Sequence, residues 1–179
     1  RGLLLTLKGS SSEAMSVSVK WDGAPAVVCG TNPDNGKFFV GTKSVFAQSA
    51  KINYTKKDIA TNHGTDELGQ KLLKCLVHLR KINIEGVVQG DLLFTDEDIT
   101  RKNIDNKPHL TFTPNTITYA VPEGSELAKQ IDRAKVGIIF HTTYNGETLA
   151  DMTASGGADV SSFTKSNDVF FDNATYKDV

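Results

Sequence analysis

The sequence predicts an α+β fold in which antiparallel sheets carry flanking helices. Three observations predict it. Short apolar runs are separated by turn-forming segments, most clearly in "VVCGTNPDNGKFFVG" at 27–41, where "NPDNG" divides two such runs. Two stretches, 65–82 and 125–135, carry helical spacing and helix-start residues. The chain has 179 residues, 39% hydrophobic and 23% charged, enough for one domain with a real core or two small lobes.

The elements follow in order. "KGSSSEAMS" (8–16) is a loop into a first strand, where Val17 and Val19 alternate with Ser16 and Ser18. Residues 27–41 form a hairpin. "TKSVFAQSAKINYTKKDIATNHG" (42–64) is polar and patternless, a long irregular excursion. "TDELGQKLLKCLVHLRKI" (65–82) is the clearest helix: Thr65 or Asp66 can cap it, and Leu68, Leu72, Cys75, Leu76 and Leu79 share a face. "INIEGVVQGDLLFT" (82–95) is a strand interrupted by glycine, and "DEDITRKNIDNKP" (96–108) a charged loop opening with a helical turn. "HLTFTPNTITYAV" (109–121) gives two strands about a Pro-Asn turn, "SELAKQIDRAK" (125–135) a short Ser-capped helix, and "VGIIFHTTY" (136–144) another strand. Beyond it, only "DVFFD" is strand-like.

Net charge is −1, so nothing global argues for a nucleic-acid partner. Local basic candidates are Lys51, Lys56 and Lys57, then Lys71, Lys74, Arg80 and Lys81, for which a solvated helix face and loop is the plainer reading. Cys29 and Cys75 sit far apart in apolar runs and read as buried free thiols of a reducing compartment. No run approaches membrane-spanning length, and "GLLLTL" (2–7) is too short for a signal core. A start at Arg1 points to a position inside a longer reading frame.

The chemistry centres on "SVSVKWDGAPAVVCG" (16–30). Lys20 ends one strand-like run, and Asp22 and Gly23 follow before a second. A free lysine, with a pKa of about 10.4, is a poor nucleophile at neutral pH; desolvation or nearby cations make the amine reactive. A tight glycine turn can hold that side chain in a cleft, with Asp22 as an acceptor. On spacing alone Lys-x-Asp-Gly is weak, and an exposed salt-bridging lysine would explain it.

The motif and three others together resemble the covalent nucleotidyltransferase superfamily, the ATP-dependent RNA and DNA ligases and RNA capping enzymes. "KWDGAPAVV" resembles motif I, most closely that of phage-type RNA ligases and of ligase-like proteins of marine phages. "VGTKSVF" (40–46) is similar to motif Ia, "VVQGDLLF" (87–94) to motif III and "AKVGIIFHTTY" (134–144) to motif IIIa. The resemblance covers 17–144 and implies an ATP-grasp-like ligase adenylation core. In it Lys20 attacks the α-phosphate of ATP and carries AMP. Asp22 and Gly23 shape the turn around the nucleotide, and Lys43 contacts the ribose or α-phosphate. Asp91 binds a ribose hydroxyl or assists a metal-bound water, while Phe94 or Phe140 lines the base pocket. Mg²⁺ neutralises the triphosphate. The substrate implied is nucleic acid, RNA before DNA, and the setting the cytoplasm of a phage-infected bacterium.

Departures from the pattern matter. Where DNA ligases carry arginine two residues after the glycine, this chain has Pro25. Motifs IV and V should follow motif IIIa; "EGVV" (85–88) matches motif IV in letters but comes too early, and "TYKDV" offers Lys177 without a second lysine. The expectation is one nucleotidyltransferase domain over 1–179, cut after motif IIIa, whose activity as this piece is slow or absent. A degenerate ligase fold kept as a binding or structural phage module, and a GTP-using capping guanylyltransferase, are the alternatives. Of the four histidines, His63, His78, His109 and His141, none has partners at metal-ligand spacing. His78 reads as half-buried, and His141 either faces the nucleotide or alternates outward. Trp21 packs behind the lysine strand.

Overall fold

The computed structural model describes residues 3–6 and 25–174; Lys20, Trp21, Asp22, Gly23 and Lys177 lie outside the described residues. The fold is α+β, as predicted, with ten strands and three α-helices among the described residues. A six-stranded sheet contains β2 (Ala26–Thr31), β3 (Phe38–Gly41), β4 (Val87–Thr95), β8 (Val136–Asn145), β9 (Thr153–Gly156) and β10 (Val169–Asn173). Its order is β10-β8-β4-β2-β3, with β9 pairing the far half of β8. A four-stranded sheet has the order β1-β7-β6-β5, built from Leu3–Thr6, Ile117–Pro122, Lys107–Phe112 and Thr100–Ile104.

Pairing is antiparallel except at two edges, where β1 joins β7 and β10 joins β8 in parallel. Parallel partners come from distant sequence, so no local turn announces them.

Helices α1 (Lys56–His63), α2 (Glu67–Leu79) and α3 (Glu126–Arg133) follow two different rules. For α2 and α3 the rule is amphipathic burial. Leu72, Cys75, Leu76 and Leu79 of α2 pack on Val27, Cys29, Val88, Leu92, Ile138 and Phe140 of the larger sheet. Leu127, Ala128 and Ile131 of α3 join Leu110, Phe112, Tyr119 and Val121 of the smaller sheet to Leu93, Phe94, Ile139 and Phe170 of the larger. The Ser125 hydroxyl caps α3 by accepting from Ala128 N. Asp66 takes the cap position of α2 without a side-chain bond.

Helix α1 corrects the expectation of an irregular 42–64. It is held by a capping box, Thr55 accepting from Asp58 N while the Asp58 carboxylate accepts from Thr55 N. Ile59 is its one buried residue, so apolar periodicity could not reveal it. A 3-10 helix, Lys43–Phe46, precedes it. The charged loop at 96–108 does open with a helical turn, Asp96–Asp98, but then forms β5, which turns into β6 through Asp105 and Asn106, both at positive φ. Four of the five residues of β5 are exposed, which hid the strand. Among the described residues no helix is long and apolar enough to cross a membrane.

Both cysteines are free and fully buried in the core under α2. Burial pushes the Cys75 thiol from an ordinary 9.0 up to about 12, and raises Cys29 as well. Folded thiols thus keep protons that unfolded thiols release. For Cys75 that stabilisation is complete below about pH 9 and is lost as pH rises toward about 12, by at most about 1.4 kcal/mol per pH unit, and Cys29 acts in the same direction. Urea unfolding measured across that window should show the fall, and Cys75→Ala should flatten it.

Candidate functional site

Strand β4 is buried along its whole length and is paired on both sides, with β2 and β8. Side chains alternate across it. Val88 and Leu92 face the core under α2; Val87, Gln89 and Asp91 face the other way. Two polar side chains two residues apart, in an otherwise apolar strand, mark that second face as chemically distinct.

A β-bulge shapes this face. Gln89 pairs Thr142 and Gly90 pairs Phe140, so His141 is the extra residue of β8. The bulge turns the imidazole onto the Asp91 face, with Nε2 at 3.3 Å from Asp91 Oδ1. On the other side of the ring, Nδ1 lies 2.7 Å from Thr142 Oγ1. The neutral ring that satisfies both contacts accepts from the Thr142 hydroxyl at Nδ1 and donates from Nε2 to Asp91. Gly90 permits the close approach: a Cβ there would stand 2.6 Å from the Ile139 carbonyl oxygen. The "QGD" run is therefore one geometric unit. Glycine lets the bulged strand come close, and the acid receives the histidine that the bulge presents.

Beside this pair, the Tyr144 hydroxyl donates to Gln89 Oε1 at 2.6 Å, and Phe46 packs on the Tyr144 ring at 4.5 Å. Gln89, Thr142 and Tyr144 escaped the sequence reading, although the lone glutamine in "VVQGDLLF" was a visible signal. The register also extends the Asp91 row: Ala26, Asp91, Ile139 and Asp172 stand side by side across β2, β4, β8 and β10.

The predicted residues fall into three groups. Asp91 and His141 are brought together. Lys43 is exposed and opens the 3-10 helix two residues after β3, whose last residue Gly41 pairs Val28. That places its backbone near the start of β2, where Ala26 pairs Asp91. Phe94 and Phe140 are not part of this group. Both are fully buried, Phe94 against Phe112 and Phe170 in the core between the sheets, Phe140 in the core under α2. Neither ring offers a face to a nucleobase. Lys20, Asp22 and Gly23 lie outside the described residues; Pro25, which follows them, accepts from Leu92 N at 2.9 Å.

Among the described residues no three His, Cys, Asp or Glu side chains cluster as a metal site. Among the described residues, the basic residues of α2 and of the 3-10 turn that follows it, Arg80–Ile82, do not form a free patch. Lys71 pairs with Glu67 and Asp98, Lys74 with Asp96 and Glu97, and Lys81 with Asp168. Arg80 lies over the Phe38 ring. His78 on α2 is half-buried, as expected.

If Gly90 sets the bulge, Gly90→Ala should cost about 1–3 kcal/mol in urea unfolding by overpacking. It should also move the His141 imidazole resonances in NMR spectra. Unchanged resonances with unchanged stability would mean that the bulge does not depend on this close approach.

No curated protein and no solved structure matches the chain. A family model described as "Family of unknown function (DUF6267)" matches residues 2–179, nearly the whole sequence, and the chain belongs to that family.

Proposed function

We propose that the chain is an ATP-dependent polynucleotide ligase, acting on RNA in preference to DNA, with a nucleotidyltransferase core and Lys20 as its nucleophile. The observation that carries the reading is the convergence at the start of β2. Ala26 pairs Asp91, Asp91 meets His141, and the helix that begins with Lys43 follows the strand paired to β2. Lys20 is six residues before Ala26, a tether of at most about 20 Å when fully extended. Asp91, His141 and the start of the Lys43 helix thus lie near the start of β2, into which residues 25–28 of the motif I stretch run, and this supports the reading.

In the proposed reaction the Lys20 amine, having lost a proton, attacks the α-phosphorus of ATP. The P–N bond forms as the bond to the bridging oxygen breaks, and pyrophosphate leaves. The adenylyl group passes to a nucleic-acid 5′-phosphate, restoring the amine, and a 3′-hydroxyl then displaces AMP to form the phosphodiester. Asp91 accepts from a ribose hydroxyl or takes part in binding Mg²⁺, which would supply charge neutralisation of the triphosphate. His141 holds the carboxylate in place through Oδ1. Lys43 approaches the ribose or α-phosphate. Such transfers are accelerated mainly by positioning and charge stabilisation, which a rigid sheet end provides.

Incubation with α-labelled ATP and Mg²⁺ tests the reading. The expected product is a protein-bound label that is acid-labile and alkali-stable, absent in Lys20→Ala and reduced at least about tenfold in Asp91→Ala. No label on the wild-type chain after prolonged incubation, together with no calorimetric binding of ATP or GTP, would overturn the transferase assignment. Label from GTP alone would move it to the capping enzymes.

A further inference from the structure

A second concavity lies away from this site, along the outer edge of β10. It has a volume of about 450 Å³, within the range of small-molecule pockets. We propose that it binds a small aromatic anion that also carries a hydrogen-bond donor. The inference is independent of the nucleotidyl-transfer reading, and three features of the lining lead to it.

The first is charge. Arg133, at the end of α3, and Lys165, in the segment before β10, both line the cavity. Neither makes an ion pair or side-chain hydrogen bond among the described residues. With Asp172 as the one lining acid, the wall carries a net charge of +1 and suits a monoanion.

The second is an aromatic surface. Phe163 and Phe171, both half-buried, line the cavity with ring centroids 5.9 Å apart, backed by Phe140. A planar ring gains contact there that an inorganic anion does not.

The third is Asp172. Its Oδ1 accepts from Asn173 N at 2.8 Å, and burial raises its pKa, which Asn173 N and the positive charge of Lys165 oppose. A half-buried carboxylate of this kind is stabilised by a hydroxyl or amine donor from a ligand. Asp172 shares a register row with Asp91 but is separated from it by the fully buried Ile139, two strand spacings or about 10 Å across the sheet. The cavity is therefore a separate site.

The probe is 4-hydroxybenzoate, which combines ring, single negative charge and hydroxyl donor. Acetate lacks the ring, phenol the charge, and benzoate the donor. Calorimetry on the full chain should show saturable binding of 4-hydroxybenzoate, weaker binding of benzoate, and none of acetate or phenol at the same concentrations. The double variant Arg133→Gln/Lys165→Gln changes two exposed side chains, and its urea midpoint checks that it is folded. It should bind at least about tenfold more weakly. Asp172→Asn should narrow the difference between 4-hydroxybenzoate and benzoate. Absence of saturable binding, equal affinity in the double variant, or acetate binding as tightly as the aromatic acids would each overturn the proposal.

Discussion

The structure depends on β4. It lies between β2 and β8, every residue of it is buried, and both of its faces are covered. A strand in that position can use nearly continuous apolar sequence, as "VVQGDLLFT" does. Each polar residue in it must then be satisfied by a specific neighbour, because water does not reach it freely. Gln89 is satisfied by Tyr144 and Asp91 by His141, both from β8. The bulge in β8 is what makes the second pairing possible. Backbone register, side-chain satisfaction and the placement of the candidate site are thus one constraint.

The two sheets divide the labour around that strand. On one face α2 seals the larger sheet with aliphatic side chains and two thiols, a purely apolar contact. On the other, the first half of β8 and the last residues of β4 meet α3 and the smaller sheet, with Phe94, Phe112 and Tyr119 in successive ring contacts. This second contact ends where the polar residues begin. Ile139 belongs to it, whereas His141 and Asp91 lie just outside. The candidate site is the place where the strand emerges from between the sheets, and α3 and the smaller sheet set its boundary.

Much of this was legible in sequence, for identifiable reasons. The 27–41 hairpin declared itself through its turn residues, α2 through its apolar stripe, α3 through Ser125, and β8 through its run of Val, Ile and Phe. What was hidden lacked such a signal. Helix α1 buries one apolar residue, β5 and β9 are mostly or wholly exposed, and β1 and β10 find parallel partners far along the chain. At the site, Asp91 was legible as the acid of a Gly-acid strand, but its contact with His141 was not. Alternation alone leaves the direction of His141 undecided, since an extra residue in β8 reverses the outcome. Phe94 was misplaced for a related reason. Its neighbourhood in sequence is that of the site, but it lies three residues along the strand, inside the intersheet core.

The Asp91–His141 pair bears on function through its energetics. A carboxylate 8% exposed loses most of its hydration, and one contact to an imidazole at 3.3 Å returns only part of it. Apolar residues of similar volume at such positions are commonly as stable or more so. The apolar alternative is also close at hand, because Ile139 fills the neighbouring place in the same row with no polar group. Fold stability therefore does not explain why an acid and a histidine stand here. Gly90 sits at the bulge, where a Cβ would meet the Ile139 carbonyl oxygen, and the residue the bulge adds is the one whose side chain meets the acid. A local structure with that cost and no compensating apolar burial is the kind found where a strand re-aims side chains for binding or chemistry. On this argument fold stability does not account for the pair, and that is what makes it the candidate site.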